Sequence, residues 1–187
     1  MADASSMLWR RLDVPGHDAC RLERADAGWR LEGAAVFRGR EGPTSLAYSV
    51  ECDAQWRTVL GRVHGFAGER VVEAVIARRG LAWTLNGAVV SGLDHLADLD
   101  LGFTPATNLL QLRRVPIAAK ESVALAVAWL DADARTLTEL PQTYERRGPN
   151  VFWYRAPSVG YEGLLELAPS GFVLDNPNLW LAETRPE

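Results

Sequence analysis

The sequence has no long hydrophobic run and no excess of basic charge. Across its 187 residues, no window approaches the roughly 18 apolar residues of a membrane-spanning helix. The formal net charge is −4, and a nucleic-acid or anionic-membrane surface would need a basic patch instead. Residues 1–10 carry an early acidic residue and no apolar segment, unlike a signal peptide. We therefore expect a cytoplasmic protein with no nucleic-acid partner and no transmembrane segment.

Cysteine and histidine are scarce. The three histidines, at positions 17, 64 and 95, have no partners at metal-ligand spacing, so no metal site is expected. The chain lacks a Gly-x-Ser-x-Gly nucleophile elbow and a glycine-rich phosphate loop, and no cofactor is expected either. Cys20 and Cys52, the only cysteines, are interpreted as buried hydrophobes. A disulfide between them would need Cα atoms within ~7 Å, which sequence leaves open.

What remains is an ordinary globular composition, with 48% hydrophobic and 24% charged residues. A chain of this length most simply forms one domain and buries ~70% of its extended surface. We expect residues 1–187 to be a single β domain, with flexible tails at 1–6 and 184–187.

Short extended runs separated by Gly, Pro and Asp occupy the first half. Alternating apolar and polar residues predict strands there, and tight glycine-bearing loops join them into an antiparallel meander. For residues 69–79 a helix competes with a strand, and branched residues on both of its faces suggest burial on both sides. The predicted strands are Met7–Leu12, Ala19–Arg24, Trp29–Arg38, Ser45–Asp53, Trp56–His64 and Arg70–Arg78.

Three features mark the second half. Asn86-Gly87 between two short extended runs predicts a hairpin with a type I′ turn. Glu121–Leu130 alternates large residues with alanines, which leaves room for a neighbouring element or a ligand. Thr136–Arg147 predicts a long strand in which Pro141 favours an edge or a bulge. The chain as a whole is thus predicted to be mainly β, with few short helices.

The stretch Asp98–Arg114 is the most informative part of the chain. Asp98 and Asp100 alternate with leucines, which is typical of a half-buried strand. Gly102 and Pro105 break this strand, and the side-chain oxygens of Thr104, Thr107 and Asn108 suit an ordered turn. The run Leu109–Arg114 then returns to an extended pattern. We interpret the segment as a polar corner between two strands.

The arginines of this corner, with Arg57, are candidates to bind an anionic head group. In an extended segment Arg113 and Arg114 point to opposite faces, so one faces the more enclosed side and needs a partner. That partner is either a ligand phosphate or carboxylate, or an internal acid. For these arginines, Arg57 included, the internal alternatives are Glu32, Glu51 and Asp100. Trp56 precedes Arg57 and is interpreted either as core or as the wall of a ligand cavity.

The acids allow a second interpretation. Asp98 and Asp100 at i, i+2 could place two carboxylates ~6–7 Å apart on one face, a distance compatible with glycoside hydrolysis. The alternative is that they cap the turn or pair with Arg113 or Arg114. An enzyme acting on a glycoconjugate or acyl compound through Asp98, Asp100 or Glu32 therefore stays open.

Three stretches carry a family resemblance: Tyr48–Thr58, Asp98–Arg114 and Leu174–Trp180. With Leu101-Gly-Phe-Thr-Pro-Ala-Thr-Asn108 and Trp56-Arg57-Thr58 as its most specific parts, the chain resembles the putative glycolipid-binding family of bacterial proteins from about Leu8 to Leu181. The resemblance implies a curved antiparallel sheet, roll or half-barrel that binds a glycolipid or another amphiphile.

An interaction module with an exposed sheet edge is the third class that we consider. For the binding interpretation, the candidate ligand-binding residues are Trp56, Arg57, Asp100, Thr107, Asn108, Arg113 and Arg114.

Overall fold

Alternation of apolar and polar residues runs through most of the chain, and the chain accordingly folds almost entirely into strands. The computed structural model describes residues 4–183, with fifteen strands, one α-helix and a 3₁₀ turn at Pro157–Val159 over that range. The elements are β1 Ala4–Arg11, β2 Gly16–Ala25, β3 Gly28–Gly39, β4 Gly42–Asp53, β5 Thr58–Ala67, β6 Arg70–Arg79, β7 Ala82–Leu85, β8 Ala88–Val90, β9 Leu99–Leu101, α1 Asn108–Arg114, β10 Ser122–Asp131, β11 Thr136–Gly148, β12 Val151–Ala156, β13 Tyr161–Leu167, β14 Val173–Asn176 and β15 Trp180–Ala182.

All strands join one open, curved sheet in a single domain. Its order runs from β8 back through β7 to β1, continues to β15, and then runs back through β14 to β9. Neighbours are antiparallel except for β9, which pairs parallel to β10. The sheet is therefore two meanders joined where β1 meets β15, through Trp9↔Ala182 and Arg11↔Trp180. The predicted mainly β, curved fold is confirmed.

The first meander follows the sequence pattern closely. In β4 the side chains of Leu46, Tyr48 and Val50 are buried. β6 is a strand rather than a helix, but the expectation that both of its faces are buried was wrong. Val71 and Val75 are exposed, because only the alternate face meets the core.

The sheet begins earlier than predicted. β1 starts at Ala4, so residues 4–6, which were assigned to a tail, pair with β2 through Ala4↔Glu23 and Ser6↔Arg21. The remaining tail residues, 1–3 and 184–187, lie outside the described part of the chain.

The Asn86-Gly87 hairpin has the predicted geometry. Asn86 has φ 51° and Gly87 has φ 82°, the two positive angles of a type I′ turn. Pro141 also obeys its constraint, since the ladder of β11 with β12 begins only at Thr143. Proline at 141 thus removes no hydrogen bond from that side of the strand.

The corner segment differs from its prediction in two ways. Leu99, Asp100 and Leu101 are all buried, so β9 is enclosed on both faces rather than half-buried. The run expected to be extended after Asn108 is instead helix α1. A seven-residue helix shows too few turns for a periodic signal, and the leucines fit either structure.

Helix α1 joins two hydrophobic clusters. Leu109 and Leu110 are buried in the larger one, which is built mainly on β1 to β7. Leu112 packs on the smaller one, formed mainly by residues of β10 to β14. Arg113 and Arg114 occupy the last turn, where cations complement the helix dipole, and Pro116 follows. Among residues 4–183, no helix has the length and apolarity to cross a membrane.

Candidate functional site

Trp56 is held by a tightly hydrogen-bonded turn between β4 and β5. Asp53 Oδ1 accepts hydrogen bonds from the backbone N–H groups of Gln55 and Arg57, both at 2.9 Å. The Trp56 N–H donates to the Asp53 carbonyl at 3.0 Å. Trp56 itself has φ 65°, a conformation that non-glycine residues rarely adopt. Such a backbone persists only where its surroundings fix it, so the direction of this indole is set by the turn.

The indole of Trp56 stacks on Trp29 at the beginning of β3. Their ring centroids are 4.5 Å apart and the planes differ by 14°. Trp29 reaches this place because it pairs with Cys52, directly before the turn that carries Trp56. Both indoles are only partly buried, so the pair forms an apolar wall open to a ligand.

Arg113 lies beside this wall. Its guanidinium carbon is 5.8 Å from the centre of the Trp56 ring, and Nη2 donates to the carbonyl of Ser170. The buried Nε has no hydrogen-bond partner within residues 4–183, and no carboxylate in that range forms an ion pair with Arg113. A partly buried guanidinium of this kind can still take an anion.

Together these residues surround a cavity of about 400 Å³, which we call the Trp56 cavity. Its lining is mainly apolar, with Arg113 as its one charged group. The lining residues are Ser5, Leu22, Trp29, Trp56, Arg113, Pro169 and Ser170.

Arg114 and Arg57 are engaged elsewhere. Arg114 forms a two-pronged ion pair with the fully buried Asp98, with Nε–Oδ1 at 2.8 Å and Nη2–Oδ2 at 2.6 Å. Burial raises the pKa of Asp98 despite the opposing effect of Arg114. Arg57 pairs at the surface with Asp53, at 2.7 Å, so none of its three expected acids is its partner. Asp53 lies in the same turn, and local geometry decided the pairing.

Thr104 fixes the corner, as predicted, but its main partner was missed. Its hydroxyl accepts from the Ala106 N–H at 3.0 Å and donates to Asp18 of β2. Tyr48 donates to the same carboxylate at 3.0 Å. Asp18 is fully buried, and burial raises its pKa to about 6, although the two hydroxyl donors oppose the shift. This network ties the corner to two strands of the first meander.

Asp100 belongs to a second buried network, on the side of the other meander. Its carboxylate accepts from Thr107 Oγ1 and Gln142 Nε2, each at 2.8 Å. Asn108 donates to the Tyr144 hydroxyl at 3.1 Å. Burial raises the pKa of Asp100, and the two neutral donors only partly offset it.

Asp100 and Asn108 also line a second cavity of about 400 Å³, which we call the Asp100 cavity. Its lining combines hydroxyl, amide and carboxylate groups with aromatic rings. Besides those two residues, it consists of Leu101, Gly102, Thr104, Trp129, Leu140, Tyr154, Val159, Gly160, Tyr161, Asn176, Leu179 and Trp180.

The candidate residues therefore separate into three groups. Trp56 and Arg113 meet at the Trp56 cavity, whereas Asp100 and Asn108 line the Asp100 cavity with Thr107 bonded behind them. Arg57 and Arg114 line neither. The sequence interpretation missed Trp29, although the strand register could have placed it beside Trp56. It also missed Tyr154 and Asn176, which carry no local motif.

No cluster of three potential metal ligands occurs in the range 4–183. Cys20 and Cys52 are buried and free, with β3 between their strands. Burial raises the pKa of Cys52 to about 12 and raises that of Cys20 as well, so both thiols stay protonated at neutral pH.

Comparison with known proteins gives a family and a structural relative. The family described as "Putative glycolipid-binding" matches residues 6–182. A crystal structure of a DUF1089 family protein from Pseudomonas aeruginosa is similar, with a TM-score of 0.76 and 20% sequence identity. The alignment covers 97% of this chain and 92% of that one, and at this identity it supports the fold alone. No curated protein matches the sequence.

Proposed function

Because this chain belongs to the putative glycolipid-binding family, we propose that it binds an amphiphile of the glycolipid class without transforming it. In this proposal the Trp56 cavity receives an anionic part of the ligand's head group. The observation that carries the proposal is the Arg113 guanidinium. It lies over the ring of Trp56, which is stacked on Trp29, and it has no acidic partner within residues 4–183.

The chemistry of the cavity suits a ligand that is both apolar and anionic. Two stacked indoles offer a flat apolar surface, on which the C–H groups of a sugar or the first methylenes of a chain can pack. A guanidinium forms short, charge-assisted hydrogen bonds to phosphate or carboxylate. A mainly apolar pocket with one convergent polar group is the usual form of a small-molecule site.

A neighbouring cavity provides room for the apolar part of such a ligand. It has a volume of about 310 Å³ and shares Arg113 with the Trp56 cavity. Its walls combine the apolar side chains of Leu109, Leu112, Phe152 and Leu167 with polar groups, which include Arg146 and Asn150. A head group bound to Arg113 would thus lie next to the indoles of the Trp56 cavity and within reach of the apolar side chains of this second cavity.

The arrangement of the acids favours binding over acid-based hydrolysis. Asp98 is closed off by Arg114, and Glu32 is exposed on the opposite face of β3. Asp100 is the one carboxylate among the residues that line its cavity. Glycoside hydrolysis by the common mechanisms needs two carboxylates that flank the substrate. The cytoplasmic location remains a prediction, which fractionation of the native host would test.

The test is a comparison of two amphiphiles that share a chain. Isothermal titration with decyl phosphate and decyltrimethylammonium, each below its micelle concentration, should show binding of the anionic probe alone. Arg113→Met should weaken the binding of decyl phosphate about tenfold to a hundredfold, since a charged hydrogen bond contributes ~1.5–3 kcal/mol to the binding free energy. Trp56→Ala should weaken it about tenfold or more, because a buried aromatic contact is a frequent source of affinity.

Two matched controls are available on β12. Arg155→Met removes an exposed arginine, and Trp153→Ala removes a half-buried indole, both away from the Trp56 cavity. Both controls should bind decyl phosphate like the unchanged protein. Equal binding of the two amphiphiles, or equal losses in the controls, would contradict the proposal.

A further inference from the structure

The Asp100 cavity has a chemistry of its own. We propose that it binds a neutral, polyhydroxylated ring such as a sugar, through Asp100, Tyr154 and Asn176. The inference deepens the proposed function and rests on it only for the expectation that a natural ligand carries a sugar. It does not depend on the Trp56 cavity, which lies at the other end of helix α1.

Asp100 is a preorganised acceptor. Its side chain is almost fully buried, and each carboxylate oxygen is fixed by one neutral donor, Thr107 on one side and Gln142 on the other. A carboxylate oxygen can accept a second hydrogen bond. Because Asp100 lines the cavity, this spare accepting capacity suits the hydroxyl groups of a vicinal diol.

Other polar groups of the wall keep free hydrogen-bonding capacity. The Tyr154 hydroxyl has no hydrogen-bond partner within residues 4–183, although Tyr154 is 6% exposed. The Asn176 carbonyl oxygen accepts from Tyr161, which leaves its NH₂ group available. Asn108 uses its NH₂ group on Tyr144, which leaves its side-chain oxygen available. The free groups thus include donors and acceptors.

The aromatic residues complete the pattern. Tyr154 stands between Tyr144 and Tyr161, with ring centroids 4.8 and 5.8 Å away. Trp129 and Trp180 lie among the other walls. Aromatic faces beside hydroxyl, amide and carboxylate groups match a sugar ring, which has C–H faces and a rim of hydroxyls.

The charges of the lining decide between ligand classes. No arginine, lysine or histidine is among the lining residues, and Asp100 would repel an anion. An ammonium ion would be attracted, but it only donates hydrogen bonds and would leave the Asn176 NH₂ group unmatched. Hydroxyl groups both donate and accept, so they can satisfy all of the free groups.

Saturation-transfer NMR, which detects weak binding, provides the test. The probes are the methyl glycosides of glucose, galactose and mannose, with choline as the cationic alternative. At least one glycoside should bind the unchanged protein, and Tyr154→Phe should weaken it about threefold to tenfold, as expected for one hydrogen bond. Val159→Trp, which places an indole at the exposed rim, should abolish the signal and serves if Tyr154→Phe fails to fold.

The two sites are separated by crossing the variants and the probes. Arg113→Met should leave glycoside binding unchanged, and Tyr154→Phe should leave decyl phosphate binding unchanged. If decyl phosphate binds through Arg113 and no glycoside binds, the sugar site fails and the proposed function stands. If a glycoside binds and responds to Tyr154→Phe while decyl phosphate does not bind, the reverse holds. Displacement of the glycoside by choline would also overturn the inference. Glycoside binding that is unchanged in both Tyr154→Phe and Val159→Trp would do the same.

Discussion

The Trp56 cavity and the Asp100 cavity have about the same volume and opposite charge. The first contains an arginine with no acid among its lining residues, and the second contains an aspartate with no cation among its own. Both charged residues come from one segment of the chain, Asp98–Arg114. A short segment between two meanders can thus equip two separate cavities with different chemistry.

The two buried carboxylates that line neither cavity, Asp98 and Asp18, have strong partners, whereas some polar groups at the cavities do not. Asp98 is matched by both prongs of Arg114, and Asp18 by two hydroxyl donors. Within the described range 4–183, Arg113 Nε at the Trp56 cavity is buried without a partner, and the Tyr154 hydroxyl at the Asp100 cavity makes no hydrogen bond. Gln111 Oε1 is also buried without a partner, although Gln111 lines neither cavity. Buried groups whose partners are all within the protein hold the corner in place, whereas a group that lines a cavity and lacks a partner can bind a ligand. This distinction separates the two neighbouring arginines of helix α1, and it can be tested.

Arg114→Met should have the largest effect on stability. It leaves the fully buried Asp98 carboxylate without its cation, and breaking such a pair on one side costs ~3–5 kcal/mol. Urea unfolding at pH 7 measures the change. The double variant Arg114→Met with Asp98→Asn should recover part of the loss, because the stranded charge is gone. A loss below ~1 kcal/mol in the single variant would show that Asp98 does not depend on Arg114 as its partner.

Asp18 should give the next largest effect, as a dependence on pH. Its pKa of about 6 exceeds the ordinary value of 3.8, so the folded protein holds this proton more tightly than the unfolded chain. Protonation of Asp18 therefore contributes ~2–3 kcal/mol to the free energy of unfolding. This contribution is fully present below about pH 4 and is lost as the pH rises through about 6.

The comparison of Asp18→Asn with the unchanged protein isolates this effect. Burial also raises the pKa of Asp98 and Asp100, but those shifts are common to both proteins and cancel in the difference. Relative to the unchanged protein, the variant should gain stability between pH 4 and pH 7 in urea unfolding. Parallel pH profiles would show that Asp18 is not perturbed by burial.

Sequence patterns gave the strands well and the corner poorly, for physical reasons. Alternation is a local signal, so β3, β4 and the Asn86-Gly87 turn could be predicted. The Asp18–Thr104 contact joins residues 86 positions apart and leaves no local trace. The leucines of α1 were taken as extended because seven residues cannot distinguish the two periods.

The residues of the candidate site likewise divide into those that the sequence could identify and those that only the fold brings together. Trp56 and Arg113 could be identified as candidates from their residue types. Their proximity could not be predicted, because it depends on helix α1. Trp29 could have been added, because it pairs with Cys52 in the structure and a register assigned to the predicted meander would have placed it there. Tyr154 and Tyr161 come from strands of the other meander, which only the closure of the chain around the corner brings near Asp100.

Gly87→Val should have a moderate effect and provides a change far from both cavities. Gly87 has φ 82°, and an added Cβ would meet no atom within 4 Å, so the variant suffers from backbone strain alone. A branched residue at this angle should cost ~1 kcal/mol or more in urea unfolding. Ala88→Val, at an exposed strand position, is the matched control and should be close to neutral. Both variants should keep their binding of decyl phosphate, and a loss there would link stability to binding in general.

Arg113→Met should have the smallest effect on stability, although it stands next to the residue with the largest. It removes the hydrogen bond from the charged guanidinium to the Ser170 carbonyl, and such a bond stabilises by ~1.5–3 kcal/mol. It also removes a buried N–H group that has no partner, and an unpartnered group destabilises the protein by ~1–3 kcal/mol. The two changes oppose each other, and methionine keeps much of the apolar stem against Trp56. We expect a change within ~1 kcal/mol, close to that of the exposed control Arg155→Met. A loss of ~3 kcal/mol or more would show that Arg113, like Arg114, is a structural residue. The proposal that the Trp56 cavity binds an anionic ligand would then be contradicted.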